Sequence, residues 1–466
     1  MVKSQTNLAW DVLLDLTGWR GPLHVQLTSA LRAAIRVGRL PCGSALPPSR
    51  TLAADLGMSR WTVTQAYTQL IAEGYLEART GAATRVRWAP EPALPRVAGP
   101  RPVAAPVRFD MMPGRPDLRG FPLRRWIDAI RAATATVPYD QLGYPDPAGS
   151  SWLREVLADY LNRVRGTAAS AESVTVCLRA VDAMLRTCRA LRAEGISHLA
   201  VEEPSWPQLR EAAAAAGLAL VPVPVDEDGL VIDELCAHPE VRAVCVSATH
   251  QFPTGVVLAP GRRAGLLEWA RRRDGVIIED DYDAEFRYDR RAVATLQGMA
   301  PERVFLLGSI SKTLAPAVGI GWVVTPLRLA RSVRGVSPFA LVPPVLHQFA
   351  LASFIESGSY DRHLRAARQR YRARRGRLLD ALAKLLPGCQ VEGAAAGLHL
   401  VLRLPGHSDA DRITDCASRR GLLVANLDRF RLLPDPRQPA LVLGYGNLAD
   451  AACTEAVSVL AEIIAA

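Results

Sequence analysis

Seven short apolar runs constrain this chain more than any other feature. They are Val174–Cys177, Leu199–Val201, Leu218–Val223, Ala243–Ser247, Gly275–Ile278, Val304–Leu307 and Trp322–Val324. Helical patterns lie before and between them, at Trp152–Val164, Ala180–Ala193 and Arg262–Arg272. Runs this short read as strands, and their lack of polar alternation reads as burial on both faces. Short buried strands with helical crossovers predict an α/β fold with a mainly parallel sheet. Ligands of such sheets gather beyond the carboxyl ends of the strands. The residues that follow each run are therefore the candidate site.

After Gly275–Ile278 comes Glu279-Asp280-Asp281-Tyr282-Asp283, and after Val304–Leu307 comes Gly308-Ser309-Ile310-Ser311-Lys312. Ala243–Ser247 leads into Ala248-Thr249-His250-Gln251-Phe252-Pro253-Thr254-Gly255, and Leu199–Val201 into Glu202-Glu203-Pro204-Ser205-Trp206. A lysine, a carboxylate, a phenol and an indole thus converge on one rim. Pyridoxal phosphate (PLP) needs this set. A lysine amine forms a Schiff base with its aldehyde. A buried carboxylate keeps the ring nitrogen protonated, so that the ring withdraws electrons. A phenol hydrogen-bonds O3′, and an aromatic face stacks on the ring.

The stretches FDMMPGRPDLRGFPLRRW, LGYPDPAG, LREVLADYL, HQFPTG, IIEDDYDAEFRY, LGSISKTLAP and AGLHL run through most of residues 108–400. They resemble fold type I aminotransferases, in the fused form found in MocR/GabR-type regulators. The resemblance implies that Lys312 is the Schiff-base lysine, Asp280 the ring-nitrogen partner and Tyr282 the O3′ partner. It implies that Ser309 and Ser311 place the phosphate or the lysine, that Trp206 stacks on the ring, and that Tyr144 reaches the phosphate of a neighbouring subunit. Asp281 and Asp283 are expected to be solvated or capping carboxylates, and His250 has a structural reading beside a functional one.

Two departures strike the phosphate. The family usually places an arginine about seven residues after the lysine, and position 319 is Gly. The family's Ser-Gly-Ala-Gln-Gln-like turn, whose amides cradle the phosphate, is replaced by Cys177-Leu178-Arg179-Ala180-Val181-Asp182. Arg179 can restore one positive charge there. The substrate-carboxylate arginine of aminotransferases has no counterpart in ALVLGYG, and Arg429 is a weak substitute.

The first 88 residues are of another kind. Leu23, Leu27, Leu31 and Ile35 recur every four residues within PLHVQLTSALRAAIRVGRL and predict a helix. Ser49 is expected to cap a second helix, Arg50–Leu56, and Ser59 a third, Arg60–Glu73, with Gly57 between them. Two short helices about a Gly-containing turn read as helix-turn-helix. YLEAR and TRVRW about "TGAA" read as a hairpin wing. In this frame Ser59, Arg60, Thr62 and Thr64 face base edges in the major groove. Arg50, Arg79, Thr84 and Arg85 face phosphates. PLHVQL, IRVGRL, LPPSRTLAADLGMSRWTVTQAY and LIAEGYLEARTG resemble the winged helix of the GntR family, with Trp61 where a small or polar residue is usual.

Between the two parts, APEPALPRVAGPRPVAAP holds six prolines in residues 89–106. At about 3.1 Å per residue this semi-rigid linker spans roughly 50 Å. The expected organisation is 1–88 winged helix, 89–106 linker and 107–466 aminotransferase-like domain. Eight scattered cysteines without C-x-x-C argue against zinc and a disulfide framework and fit a reducing cytoplasm. No metal is expected. No apolar run is long enough to cross a bilayer, and the net charge of +10 agrees with a polyanionic partner.

The expected function is a cytoplasmic homodimeric regulator that binds an operator in double-stranded DNA and senses a small amino effector through PLP. It is expected to regulate rather than to catalyse. Two alternatives stand beside it: an active PLP-dependent aminotransferase with an accessory DNA-binding domain, and a PLP-independent regulator with a degenerate pocket.

Overall fold

The computed structural model describes residue 14 and residues 19–79, 82–88, 106–288, 293–335, 342–435 and 439–465. Residues 89–105 of the linker and the wing tip at 80–81 lie outside the described residues. The chain divides into two compact units, Met1–Val103 and Ala104–Ala466.

Among the described residues the first unit holds three helices and a hairpin. The helices are α1 (Leu23–Arg36), α2 (Ser49–Asp55) and α3 (Arg60–Ala72), and antiparallel β1 (Leu76–Glu77) and β2 (Arg85–Val86) form the wing. Leu27, Leu31 and Ile35 of α1 bury against Leu52, Val63, Ala66, Leu70, Leu76 and Val86. Leu23, expected on the same stripe, is exposed, because the first turn projects beyond the packed helices. Ser49 does not cap α2: Pro48 holds the cap position, and Ser49 is the first helical residue. Ser59 does cap α3, accepting from the Thr62 amide at 3.1 Å. Ser59→Ala should cost about 1 kcal/mol locally, so amide exchange across α3 should speed up about fivefold. Unchanged exchange would show that this cap is dispensable.

The second unit is built on an eight-stranded sheet of order β4-β11-β10-β9-β8-β5-β6-β7. After β3 (Phe109–Asp110), which pairs outside this sheet, its strands are β4 (Val174–Cys177), β5 (His198–Glu203), β6 (Ala219–Asp226), β7 (Gly229–Leu230), β8 (Ala243–Val246), β9 (Val276–Asp280), β10 (Val304–Ser309) and β11 (Gly321–Val324). Strands β10, β9, β8, β5 and β6 run parallel, while β11 is antiparallel to both its neighbours and β7 to β6. Alternate residues serve opposite faces. Leu199, Val201, Ala243, Cys245 and Ile278 pack on one side with Met184 and Leu191, whereas Ala200, Val244, Val246 and Ile277 pack on the other with Leu266 and Trp269. Burial on both faces is why these strands read as unbroken apolar runs.

Helices α4 (Leu123–Thr136) and α5 (Ser151–Arg165) precede the sheet, and α6 (Arg179–Ala193), α7 (Pro207–Ala215), α8 (Ile232–Cys236), α9 (Pro260–Arg272), α10 (Leu296–Met299) and α11 (Ala330–Gly335) connect or flank its strands. The C-terminal part carries α12 (Val345–Glu356), the long α13 (Ser359–Leu385), α14 (Ala410–Arg419) and α15 (Cys453–Ala465) around a small antiparallel sheet. No helix among the described residues is long and apolar enough to cross a membrane.

Candidate cofactor cleft and nucleic-acid surface

The topology brings the expected groups of the second unit to one cleft at the carboxyl ends of β5, β9 and β10. Lys312, three residues past β10, donates from Nζ to the Gly114 carbonyl at 2.7 Å, and Nζ lies 5.5 Å from the centroid of the Trp206 ring. Asp280 ends β9 and is buried. One wall of the site joins Gly114, Trp206, Phe252, Asp280, Tyr282 and Lys312. It adjoins an open cleft of about 750 Å³ reached by Arg179, Trp206, Tyr282, Ser309, Ser311 and Lys312.

The electrostatics of the site follow from burial. Burial, reinforced by the neighbouring charge of Asp281, pushes the Asp280 carboxyl up to about 7, with Lys312 opposing. Desolvation pulls Lys312 down against the attraction of Asp280 and Asp283, which favours the neutral, nucleophilic amine. Among the described residues Asp280 Oδ1 has no hydrogen-bond partner. A buried carboxylate oxygen without a partner is costly, and a cationic ring nitrogen would satisfy it. Glu202, a second buried carboxyl that the sequence reading passed over, shares a small cavity with Asp280 and Trp206. Burial raises it to about 8.

Asp281 and Asp283 are not solvated. Arg165 grips Asp281 with Nε at 2.8 Å and Nη2 at 2.9 Å, and Thr249 Oγ1 donates to it at 3.0 Å. Asp283 Oδ2 lies 3.0 Å from His250 Nδ1, which lies 2.9 Å from Tyr282 Oη. A carboxylate at Asp283 can only accept, so the His250 imidazole and the Tyr282 hydroxyl both turn toward it, and the three groups form one buried hydrogen-bonded corner. Phe252 meets Tyr282, His399 and Phe430 edge to face and fixes this corner. These partners come from distant segments.

The phosphate end differs from the family pattern in a definite way. Arg179 opens α6 at φ 66, a left-handed conformation that costs a non-glycine residue roughly 1–2 kcal/mol. Its backbone passes so close to Gly321 that a Cβ there would lie 2.6 Å from the Arg179 carbonyl carbon. The exposed Arg179 side chain makes no ion pair among the described residues. Asp182 Oδ2 accepts from the Leu178 amide at 2.9 Å, and Arg186 holds the same carboxylate through Nε at 3.1 Å. One amide of the turn is therefore taken up internally, and the Asp182 charge is neutralised. Gly319 sits at φ 74, so an arginine there would add backbone strain to any phosphate contact it made.

Ser309 accepts from the Ser311 amide at 3.4 Å, and both residues line the cleft. Tyr144 does not line it; its side chain is fully exposed, next to Asp140 and Gln141. Arg429 is exposed too. The buried cation beside the cleft is Arg210, which donates to the Phe430 carbonyl at 2.6 Å and was marked by no sequence motif.

On the first unit, Arg50, Arg60 and Arg79 are exposed, as are Ser59 and Thr64. Thr64 Oγ1 donates to the Arg60 carbonyl at 2.9 Å. Thr84 is half-buried, and Arg85 donates to the Gly43 carbonyl at 2.7 Å, bracing the wing. Thr62 departs from expectation. It is buried, and its hydroxyl lies 2.8 Å from Ser59 Oγ, because position 62 faces the core edge of α3. Gln65, which the sequence reading passed over, is exposed.

Comparison with known proteins agrees with both units. Residues 114–458 match the family described as aminotransferase class I and II, and residues 23–86 match the bacterial regulatory proteins of the gntR family. The chain is similar to the probable rhizopine catabolism regulatory protein MocR of Rhizobium meliloti, with 33% identity over 92% of this chain and 90% of the relative. It is similar to the HTH-type pyridoxine biosynthesis transcriptional regulator PdxR of Corynebacterium glutamicum, with 33% identity over 88% of each chain. Its fold resembles an archaeal alanine:glyoxylate aminotransferase, with TM-score 0.71 and 23% identity over 78% of this chain and 91% of the other.

Proposed function

The chain belongs to the MocR-type transcriptional regulators, a GntR-family winged helix joined to a class I and II aminotransferase domain, and on that premise we propose that its large domain binds PLP and senses a small amino compound through it. The observation that carries this reading is the buried, unpartnered Oδ1 of Asp280 in the same wall as the desolvated amine of Lys312. PLP supplies an aldehyde that condenses with amines and a ring that draws electrons from the bond formed.

The protein's own groups have separable tasks. Asp280 would hold a proton on the ring nitrogen, and a cation there would keep the carboxyl ionised despite burial. Tyr282 would present its hydroxyl to O3′. Trp206 covers a ring face. Arg179 and the α6 amides would hold the phosphate, with Ser309 and Ser311 beside them. Lys312 would supply the amine that condenses with the cofactor aldehyde. Its Nζ is held by the Gly114 carbonyl, 2.7 Å away. That contact ties the lysine to residues near the start of the large unit.

The domain limits 1–88, 89–106 and 107–466 are part of this proposal, as are the homodimer and a cytoplasmic location beside the DNA. Tyr139, Leu142 and Tyr144 stand exposed in one short segment, which supports a partner subunit whose cleft Tyr144 enters. A monomer in sedimentation at micromolar concentration would remove both the dimer and the shared site.

The regulator is tested by selecting duplexes from a random pool with the full-length protein. A defined site should emerge, with a salt slope near two per winged helix if Arg50 and Arg79 each neutralise one phosphate at about 0.9 units apiece. Enrichment of no sequence would remove the specific-DNA part. Absence of a visible band with excess PLP would remove the sensing part alone.

A further inference from the structure

The exposed face of α3 carries an indole at its centre. Val63, Ala66, Tyr67 and Leu70 turn to the core. With about 100° of arc per residue, the opposite side of the helix belongs to Trp61 and Thr68, flanked by Thr64 and Gln65, and all four are exposed. Arg60 lies a quarter turn to one side, and Thr62 is buried. Trp61, not Arg60, is therefore the residue of the first turn that stands most directly opposite the core. It is 62% exposed. His24 of α1 meets its ring edge to face at 5.6 Å, which steadies the indole without covering it.

An indole this exposed costs solubility unless something receives it. The face it stands on is the one a helix-turn-helix lays into the major groove. The apolar feature in that groove is the 5-methyl of thymine, next to the O4 acceptor. An indole offers an apolar face and a single N–H donor, with no acceptor. It matches thymine and mismatches the N4 donor of cytosine. Gln65, one turn further on, has the paired donor and acceptor that suit adenine.

We propose that Trp61 is a specificity-determining residue that seats against thymine 5-methyl groups in the operator, so that this regulator reads A·T pairs at the positions α3 enters. The inference rests on the DNA-binding reading and goes beyond it by naming the base chemistry.

The test uses the full-length protein and a duplex it selects from a random pool, resynthesised with dU for dT one position at a time. At one or two positions, loss of the methyl should weaken wild-type binding about fourfold, the worth of one buried methyl-sized group. Trp61→Ala and Trp61→Gln, both at an exposed position, should bind the dT and dU duplexes equally while keeping the wild-type salt slope. If no dT→dU change weakens the wild type, or if both variants keep the discrimination, the inference falls and DNA binding stands. If no duplex is selected at all, both fall together.

Discussion

Lys312→Ala should eliminate the visible absorbance band of the PLP-loaded protein and all cofactor trapped by borohydride. The experiment is unusually clean, because the chain has only three lysines, Lys3, Lys312 and Lys384. Lys384 is exposed at the end of α13 and does not line the cleft. Lys312 is desolvated beside Asp280 and Asp283, so its amine is the one poised to attack an aldehyde. Mass spectrometry of the reduced wild type should place the adduct on the peptide that carries Lys312. Asp280→Ala should keep the lysine yet hold the cofactor less tightly, because a buried pyridinium then lacks its counter-charge. The self-capped turn at Asp182 and the glycine at 319 should let PLP leave on dialysis. A band that survives in Lys312→Ala would overturn the assignment of the lysine. A colourless wild type that still binds its operator would reduce the large domain to a scaffold.

Arg165→Leu should destabilise the large unit by about 3–5 kcal/mol, the usual cost of stranding a buried charge. Arg165 and Asp281 are both buried and joined by two hydrogen bonds. Removing the guanidinium leaves Asp281 with only the Thr249 hydroxyl as a side-chain donor. Urea unfolding should show a lower midpoint with little change in slope. Combining Arg165→Leu with Asp281→Leu should recover part of the loss, because the stranded charge is then gone. A loss below about 1 kcal/mol for the single variant would mean that water reaches Asp281, and that the pair is a surface bridge in effect.

Much of this protein was legible from local chemistry. The seven strand runs all appear in the sheet, because burial on both faces leaves a signal in consecutive residues. Ser59 caps α3 because its partner is three residues away. The lysine, carboxylate, phenol and indole meet because a parallel sheet carries whatever follows its strands to one edge. The family resemblance added roles to those residues, and it located the altered turn and Gly319 before the geometry was known. Local pattern could not settle which groups would lose water. Asp281 and Asp283 sit in an acidic run that reads as solvated, yet each is buried against a cation or imidazole from another segment, Arg165 or His250. Thr62 lies beside Arg60 in sequence but turns to the core edge, whereas Trp61 turns outward. Arg179 takes a left-handed backbone because Gly321, from a strand far along the chain, lets it pass. Burial of a charge depends on its counter-charge, and a strained backbone on what packs over it. Those partners are brought together only by the tertiary fold.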